Sequence, residues 1–260
     1  MTPKISIVTI CYNSAAHIEE AILSVLNQSY ENKEYIVIDG GSKDTTLDII
    51  AKYRDKIDYF VSEPDKGISD AFNKGIKAST GDIIGICNSD DILAENVLQI
   101  VADNYEEGIE IYRMDEIIKD FDSGEEFYLK PTLEFSKIYI NAQPCHMGCF
   151  VTQKAYNKYG LYDIEMKYCM DGEFLRRLTY KGAKYKYIPQ VCGYFRKGGA
   201  SSTNEKRMRN ERRIIVTRYG GNKIDAELLV LFFMVKKWVK RLVNVFGAET
   251  SVKLRSKINA

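Results

Sequence analysis

The chain has 260 residues, 45% hydrophobic and 28% charged, which suits one globular domain with an appendage and excludes a wholly disordered chain. Five prolines and 18 glycines without a period exclude fibrous classes, and the longest apolar run, 228–235, falls short of the roughly 20 residues that span a bilayer. The net charge of +1 conceals an acidic body and a basic tail: residues 205–260 carry 14 Lys and Arg against 5 Asp and Glu, a balance of +9, and the first 204 residues carry the remaining −8.

In chain order, residues 5–12 form a β-rich run in place of any secretory leader. Asn13 and Ser14 are good N-cap residues, and Ile18, Ala21, Ile22, Val25 and Leu26 then recur at helical spacing. Strand 35–38 ends at Asp39; helix 45–53, strand 57–62, helix 68–78, strand 83–87 and helix 95–104 follow. This alternation predicts an α/β fold with a mainly parallel, twisted sheet flanked by helices. Beyond it, short strands at 111–114 and 126–128 flank the turn Asp122-Ser123-Gly124. Helices at 153–159 and 172–180 and a strand at 184–188 come next. The tail from Glu205 reads as two helical pieces broken at Gly220-Gly221. The expected division is a catalytic body over 1–204, with halves at about 1–105 and 106–204, and a basic helical extension over 205–260.

Open α/β sheets bind ligands beyond the carboxyl ends of their strands. That edge carries residues 11–14, 39–44, 63–67 and 88–91. Several chemistries fail there. The first turn, Cys11-Tyr12-Asn13-Ser14, is no glycine-rich dinucleotide fingerprint, and there is no phosphate loop and no nucleophile elbow. With only His17 and His146, a His-rich metal site is impossible, and Cys145-His146-x-x-Cys149 has no second cysteine pair at zinc spacing. Six irregularly spaced cysteines fit a reducing cytoplasm rather than a disulfide framework. Asn88-Ser89-Asp90-Asp91 leaves two readings open. Adjacent carboxylates with substrate phosphates suit Mg²⁺ or Mn²⁺, whereas Asp91 alone suits a helix N-cap.

Taken together the motifs resemble glycosyltransferase family 2. Ser6-Ile7-Val8-Thr9-Ile10-Cys11-Tyr12-Asn13 resembles its opening strand, and Asp39-Gly40-Gly41-Ser42-Lys43-Asp44-Thr45-Thr46 its second-strand signature. The stretch from Glu63 through Gly67-Ile68-Ser69-Asp70-Ala71-Phe72-Asn73 to Gly75 resembles a third block, and Asn88–Asp91 falls at its Asp-x-Asp metal motif. His146–Val151, Tyr159–Asp163 and Met170–Leu178 resemble its acceptor-side and catalytic-helix blocks, so the likeness runs from about Lys4 to Ser202. Asn88, Met170 and Gly172 depart from the residues usual in the family.

The resemblance implies a GT-A (Rossmann-like) fold and an inverting, metal-dependent sugar transfer with Mn²⁺ or Mg²⁺. Thr9, Cys11 and Asn13 would line the nucleotide pocket, Asp39 would accept from the base, and Asp70 would lie near the ribose and diphosphate. Lys66, Asn73, Asn88 and Ser89 belong to the same nucleotide-sugar set, Asp90 would hold the metal, and Asp171 would be the general base. The chemistry requires these types. A leaving diphosphate needs its charge neutralised, and the acceptor hydroxyl needs a carboxylate to take its proton. A helix N-terminus favours the charged form of Asp171.

His146, Arg196 and Asp91 carry two readings each. His146 contacts the acceptor or is a structural histidine. Arg196 closes a flexible 194–201 loop over the diphosphate or is solvated. Arg177 reads as a surface pairing residue, and Phe121, Phe127 and Tyr128 as core rather than sugar-stacking aromatics. In the tail, Leu231, Val235, Trp238, Val239, Leu242 and Phe246 repeat at helical spacing beside Lys236, Lys237, Lys240 and Arg241. That pattern fits a helix on the inner face of the cytoplasmic membrane, or one packed on the body or a second subunit. The acidic body argues against nucleic acid. The resulting expectation is a peripheral cytoplasmic hexosyltransferase, using UDP-glucose or UDP-galactose. The family implies a polyprenyl-diphosphate-linked acceptor in O-antigen or capsule assembly, with a beta linkage formed. The alternatives are a sugar nucleotidyltransferase and a non-catalytic sugar-nucleotide-binding protein.

Overall fold

The computed structural model describes residues 2–131, 146–197, 204–235 and 238–239. Four parallel strands form one half of the sheet: β1 (Ile5–Cys11), β2 (Lys33–Asp39), β3 (Tyr59–Ser62) and β4 (Ile83–Ile86), in the order β3-β2-β1-β4. Period-two alternation splits β1 between two cores. Ile5, Ile7 and Cys11 pack with Ile18, Ile22 and Val25 of α1 (Ile18–Leu26). Val8 and Ile10 pack with Phe72 and Ile76 of α3 (Ile68–Ala78); the short α2 (Thr46–Ala51) lies between β2 and β3 in the chain. The strand order reverses between β1 and β4, so a crevice opens where Cys11 and Asn88 leave the sheet.

The other half adds β5 (Ile92–Leu93), β6 (Ile111–Lys119), β7 (Glu126–Leu129), β8 (Cys149–Thr152) and β9 (Tyr185–Arg196), with β8 joining β4 to β6. In this half β6 and β9 pair parallel and the remaining joins are antiparallel, so the sheet is mixed. Helices α4 (Val97–Asp103), α5 (Gln153–Tyr159), α6 (Met170–Tyr180) and α7 (Glu205–Arg218) complete the labelled set. A further helix covers 223–235 after a break at Gly220, whose φ is +91°. Among the described residues no helix is long and apolar enough to cross a membrane.

The structure corrects several expectations. Asn13 and Ser14 do not cap α1, which begins at Ile18. Asn13 takes a left-handed φ of 49°, and its Oδ1 accepts from Lys43 N at 2.8 Å, while Ser14 N donates to Thr46 Oγ1 at 2.8 Å. Asp91 does not cap the next helix either: β5 intervenes and Asn96 precedes α4. β6 and β9 run far beyond their predicted ends. Pro189 interrupts the pattern in β9, but it falls in a bulge where the pairing steps from Met114–Ile188 to Asp115–Val191. Buried Asp115 and Glu116 disguise β6; Tyr187 and Tyr128 hydroxyls donate to Asp115, and Gly148 N donates to Glu116 at 2.7 Å. Arg196 therefore ends a strand rather than riding a loop. Phe121, Phe127 and Tyr128 are exposed, not core. Arg177 is half-buried and donates to the Tyr159 and Leu161 carbonyls.

Helix α7 packs on the body. Ile215 and Tyr219 join the core cluster of α6, and Arg176 Nη2 donates to Tyr219 O at 3.0 Å. The expectations resting on Cys145, on 132–144 and 198–202, and on Lys236, Lys237, Lys240, Arg241, Leu242 and Phe246 lie outside the described residues.

Helix α3 approaches β1 closely because Gly75 has no side chain: a Cβ there would overlap Val8 Cγ1. Gly75→Ala is expected to destabilise the protein by about 1–3 kcal/mol through overpacking, despite the better helix propensity of Ala. Urea denaturation measures this, and an unchanged midpoint would contradict the packing argument.

Candidate active site

A cavity of about 750 Å³ opens at the carboxyl edge, where the strand order reverses. Cys11, Asn13, Asn88, Ser89, Asp90, His146 and Asp171 line it. The other sequence-predicted residues stand outside that lining. Thr9 is buried and its hydroxyl accepts from Tyr35 Oη at 3.2 Å. Asp39 is buried with both oxygens engaged: Gly41 N and Ser42 N donate to Oδ2 at 3.0 Å and the Ser62 hydroxyl at 2.6 Å, while the Ser42 hydroxyl donates to Oδ1 at 2.5 Å. Burial pushes its carboxyl up, but these donors outweigh that and hold it below the usual range. Cys11 donates to Asp39 Oδ1 at 3.5 Å, and burial pushes its thiol far up. Asp70 reaches back to accept from Lys66 N at 2.9 Å. Asn73 clamps α3 to Tyr162, accepting from its N–H and donating to its carbonyl, both at 2.9 Å.

The catalytic candidates meet at His146. The segment 146–148 enters beside the sheet as a 3₁₀ turn, bringing a 5%-exposed imidazole between two carboxylates. Nδ1–H donates to Asp171 Oδ2 at 3.2 Å, and Nε2–H donates to Asp91 Oδ2 at 3.3 Å. With both carboxylates ionised, two acceptors demand two donors, which the imidazolium supplies. Burial pushes the imidazole's pKa down, but the charges and hydrogen bonds of Asp171 and Asp91 win and raise it from 6.5 to about 10. Burial raises the Asp91 carboxyl, with His146 opposing. Asp171 sits in the first turn of α6. Its Oδ2 is held by His146, while its Oδ1 is buried without a hydrogen bond. A carboxylate oriented through one oxygen keeps the other for a proton.

On the β4 side, Asn88 Oδ1 is likewise buried without a partner, and Asp90 lines the same cavity. Amide and carboxylate oxygens are the hard donors that Mn²⁺ and Mg²⁺ prefer, so the residues fit the implied cation. Among the described residues no group of three His, Cys, Asp or Glu could hold a metal, so most ligands would come from substrate phosphate and water. Arg196 buttresses this corner rather than lining it. Its Nε donates to Asp90 O at 3.2 Å, its Nη2 pairs with Glu20 at 2.8 Å, and its guanidinium lies 3.8 Å from the Phe121 ring centroid.

Sequence reasoning missed what the tail contributes. Buried Glu211 of α7 accepts from Lys167 N, Tyr168 N and Cys169 N, each at 2.9 Å, and so fixes the segment that leads into Asp171. Arg212, Ile215 and Phe233 line the cavity. No spacing rule joins residue 211 to residue 171. A run of basic residues reads as a solvated face until the helix is docked.

A raised histidine pKa ties stability to pH in one direction. The His146 contribution is complete below about pH 6.5 and is lost as pH rises through about 10. The thermal midpoint is expected to fall between pH 7 and 10, and His146→Gln to flatten that dependence. Nitrogen-15 spectra are expected to show both ring nitrogens protonated at pH 8. A titration near 6.5 would overturn the charged bridge.

The chain resembles known proteins in sequence and in fold. The model for glycosyl transferase family 2 matches residues 6–162. An uncharacterized glycosyltransferase of Rickettsia typhi is 32% identical over 182 residues; the match covers 65% of this chain and 57% of that protein, so the chain spans little more than half of its length. Among solved structures, residues 1–349 of Staphylococcus aureus TarS with UDP-GlcNAc superpose with a TM-score of 0.65, at 17% identity, over 89% of this chain and 71% of that one. The mannosyltransferase PcManGT of Pyrobaculum calidifontis, in complex with GDP-Man and Mn²⁺, gives 0.62 at 16% identity, over 89% and 69%. At these identities the structural likeness shows the shared GT-A fold. Because the family model matches well over half of the chain, the chain belongs to glycosyltransferase family 2.

Proposed function

We propose that the protein is an inverting, metal-dependent hexosyltransferase. It moves a hexose, glucose or galactose, from a UDP-sugar to a sugar acceptor and forms a beta linkage. The observation that carries this reading is Asp171. Its unpartnered Oδ1 shares one cavity with Asn88 and Asp90 while its Oδ2 is fixed by His146.

In this reading the donor's nucleotide lies along Cys11, Asn13 and Ser89, and Thr9, Asp39, Lys66, Asp70 and Asn73, outside the cavity lining, support it from the elements that carry them. Asp90, with Asn88 beside it, would hold Mn²⁺ or Mg²⁺. When bound, such a cation supplies neutralisation of the charge growing on the leaving diphosphate. Asp171 takes the acceptor hydroxyl's proton as that oxygen attacks the anomeric carbon opposite the leaving group, which inverts the configuration. The Asp91–His146 pair holds the base in register, and positioning of this kind lowers the barrier by restricting the reacting geometry.

Calorimetric titration tests the assignment. UDP and one UDP-hexose are expected to bind with an affinity that rises on adding Mn²⁺. Asp90→Ala is expected to remove the Mn²⁺ dependence. Asp171→Asn is expected to keep nucleotide binding and lower transfer by at least 10³-fold. Unchanged turnover in Asp171→Asn refutes the base assignment.

The acceptor side of the proposal is a polyprenyl-diphosphate-linked saccharide of O-antigen or capsule assembly, met at the inner face of the cytoplasmic membrane. Support comes from the last helix, where Ile224, Leu231 and Trp238 are each more than half exposed beside a basic chain. A helix with an apolar face and a basic flank lies in the interface of an anionic bilayer. Vesicles of anionic phospholipid are expected to co-sediment the protein, and Leu231→Asp with Trp238→Ala to release it. Equal sedimentation of the double variant would refute membrane docking through this helix.

A further inference from the structure

Helix α7 presents five arginines, and four of them are engaged. Arg207 pairs with Glu211, Arg213 with Glu227 and Arg218 with Asp163, and Arg209 donates to the Glu205 carbonyl. Arg212 differs. Among the described residues it has no ion-pair partner, and it lines the active-site cavity. Its guanidinium stacks 3.8 Å from the ring centroid of Phe233 and lies against the Cys169 thiol, whose pKa it pulls down against a larger effect of burial. Cys169 stands two residues before Asp171. Glu211, the next residue on α7, is bonded to the backbone of 167–169, so the register between Arg212 and the catalytic helix is fixed. The cavity's other long cation in this corner, Lys167, is spent on the Lys66 carbonyl at 2.6 Å.

A guanidinium stacked over a ring still has N–H groups pointing outward in its own plane, which can bond an oxyanion bidentately. We propose that Arg212 binds a phosphate group of a substrate at the Asp171 end of the cavity. The inference rests on the transferase reading and extends it to a residue of the tail. Two substrates carry the required chemistry, the donor's diphosphate and a phosphate on the acceptor. Ile68, Ile215 and Phe233 surround the site with apolar surface, which suits a phosphate joined to a hydrocarbon chain.

Titration of the full chain with UDP plus Mn²⁺, and separately with farnesyl diphosphate, tests the proposal without any assay of transfer. Arg212→Gln is expected to weaken at least one of these probes tenfold or more. Arg212→Lys should recover part of the loss, and Phe233→Leu should reproduce part of it by removing the stack. Loss confined to farnesyl diphosphate assigns the site to the acceptor, and loss confined to UDP assigns it to the donor. Full affinity of Arg212→Gln for every probe that the wild type binds overturns the proposal and leaves the transferase reading standing. A wild type that binds neither probe overturns both. Circular dichroism of the variants separates lost binding from lost fold.

Discussion

Two carboxylates from distant parts of the chain, Asp91 and Asp171, close on one buried imidazole, and the active site depends on that bridge. Each of the three groups would resist burial alone, because desolvation disfavours its charged form. Together they form an alternating row of negative, positive and negative charge, with a hydrogen bond at each step. Breaking such a row by removing its centre leaves two carboxylates facing each other without a counter-charge. The bridge also ties three segments together: the turn between β4 and β5, the turn at 146–148 and the first turn of α6. The parallel half of the sheet and α6 are thereby held in one frame.

The second tie comes from the tail. The acidic body and basic tail are not two independent bodies on the α7 side. Glu211 replaces water at three consecutive amides just before α6, and Tyr219 reaches back to buried Glu173 and Arg176. Backbone amides at the start of a helix need acceptors, and a buried carboxylate from another helix meets that need. The segment leading into Asp171 is thus held by a helix that carries none of the family's motifs, and the same helix places Arg212 in the cavity.

Much of the parallel half was legible because its signals are local. The alternation of Ile5, Ile7 and Cys11 with Val8 and Ile10 needs only a sheet covered on both faces, and the helical spacing of Ile18, Ile22 and Val25 needs only one apolar wall. The mixed half was harder to read. Asp115 and Glu116 look like loop residues until two tyrosines and a glycine amide are folded against them. Pro189 looks like a strand terminator until a bulge absorbs it. Asn13 and Ser14 have the chemistry of helix caps, yet a neighbouring loop competes for them and wins.

The sequence by itself determined the reaction family and the edge of the sheet where chemistry occurs. Motif identity and strand order are encoded by nearby residues, and carboxyl-end placement follows from topology alone. Only the tertiary structure decided that His146 sits between two carboxylates, that Asp171 keeps one oxygen unpartnered, that Glu211 holds the segment before α6 and that Arg212 lines the cavity. Each of those facts is a distance between groups tens of residues apart. Charge state, burial and orientation arise from such distances, and no local pattern contains them.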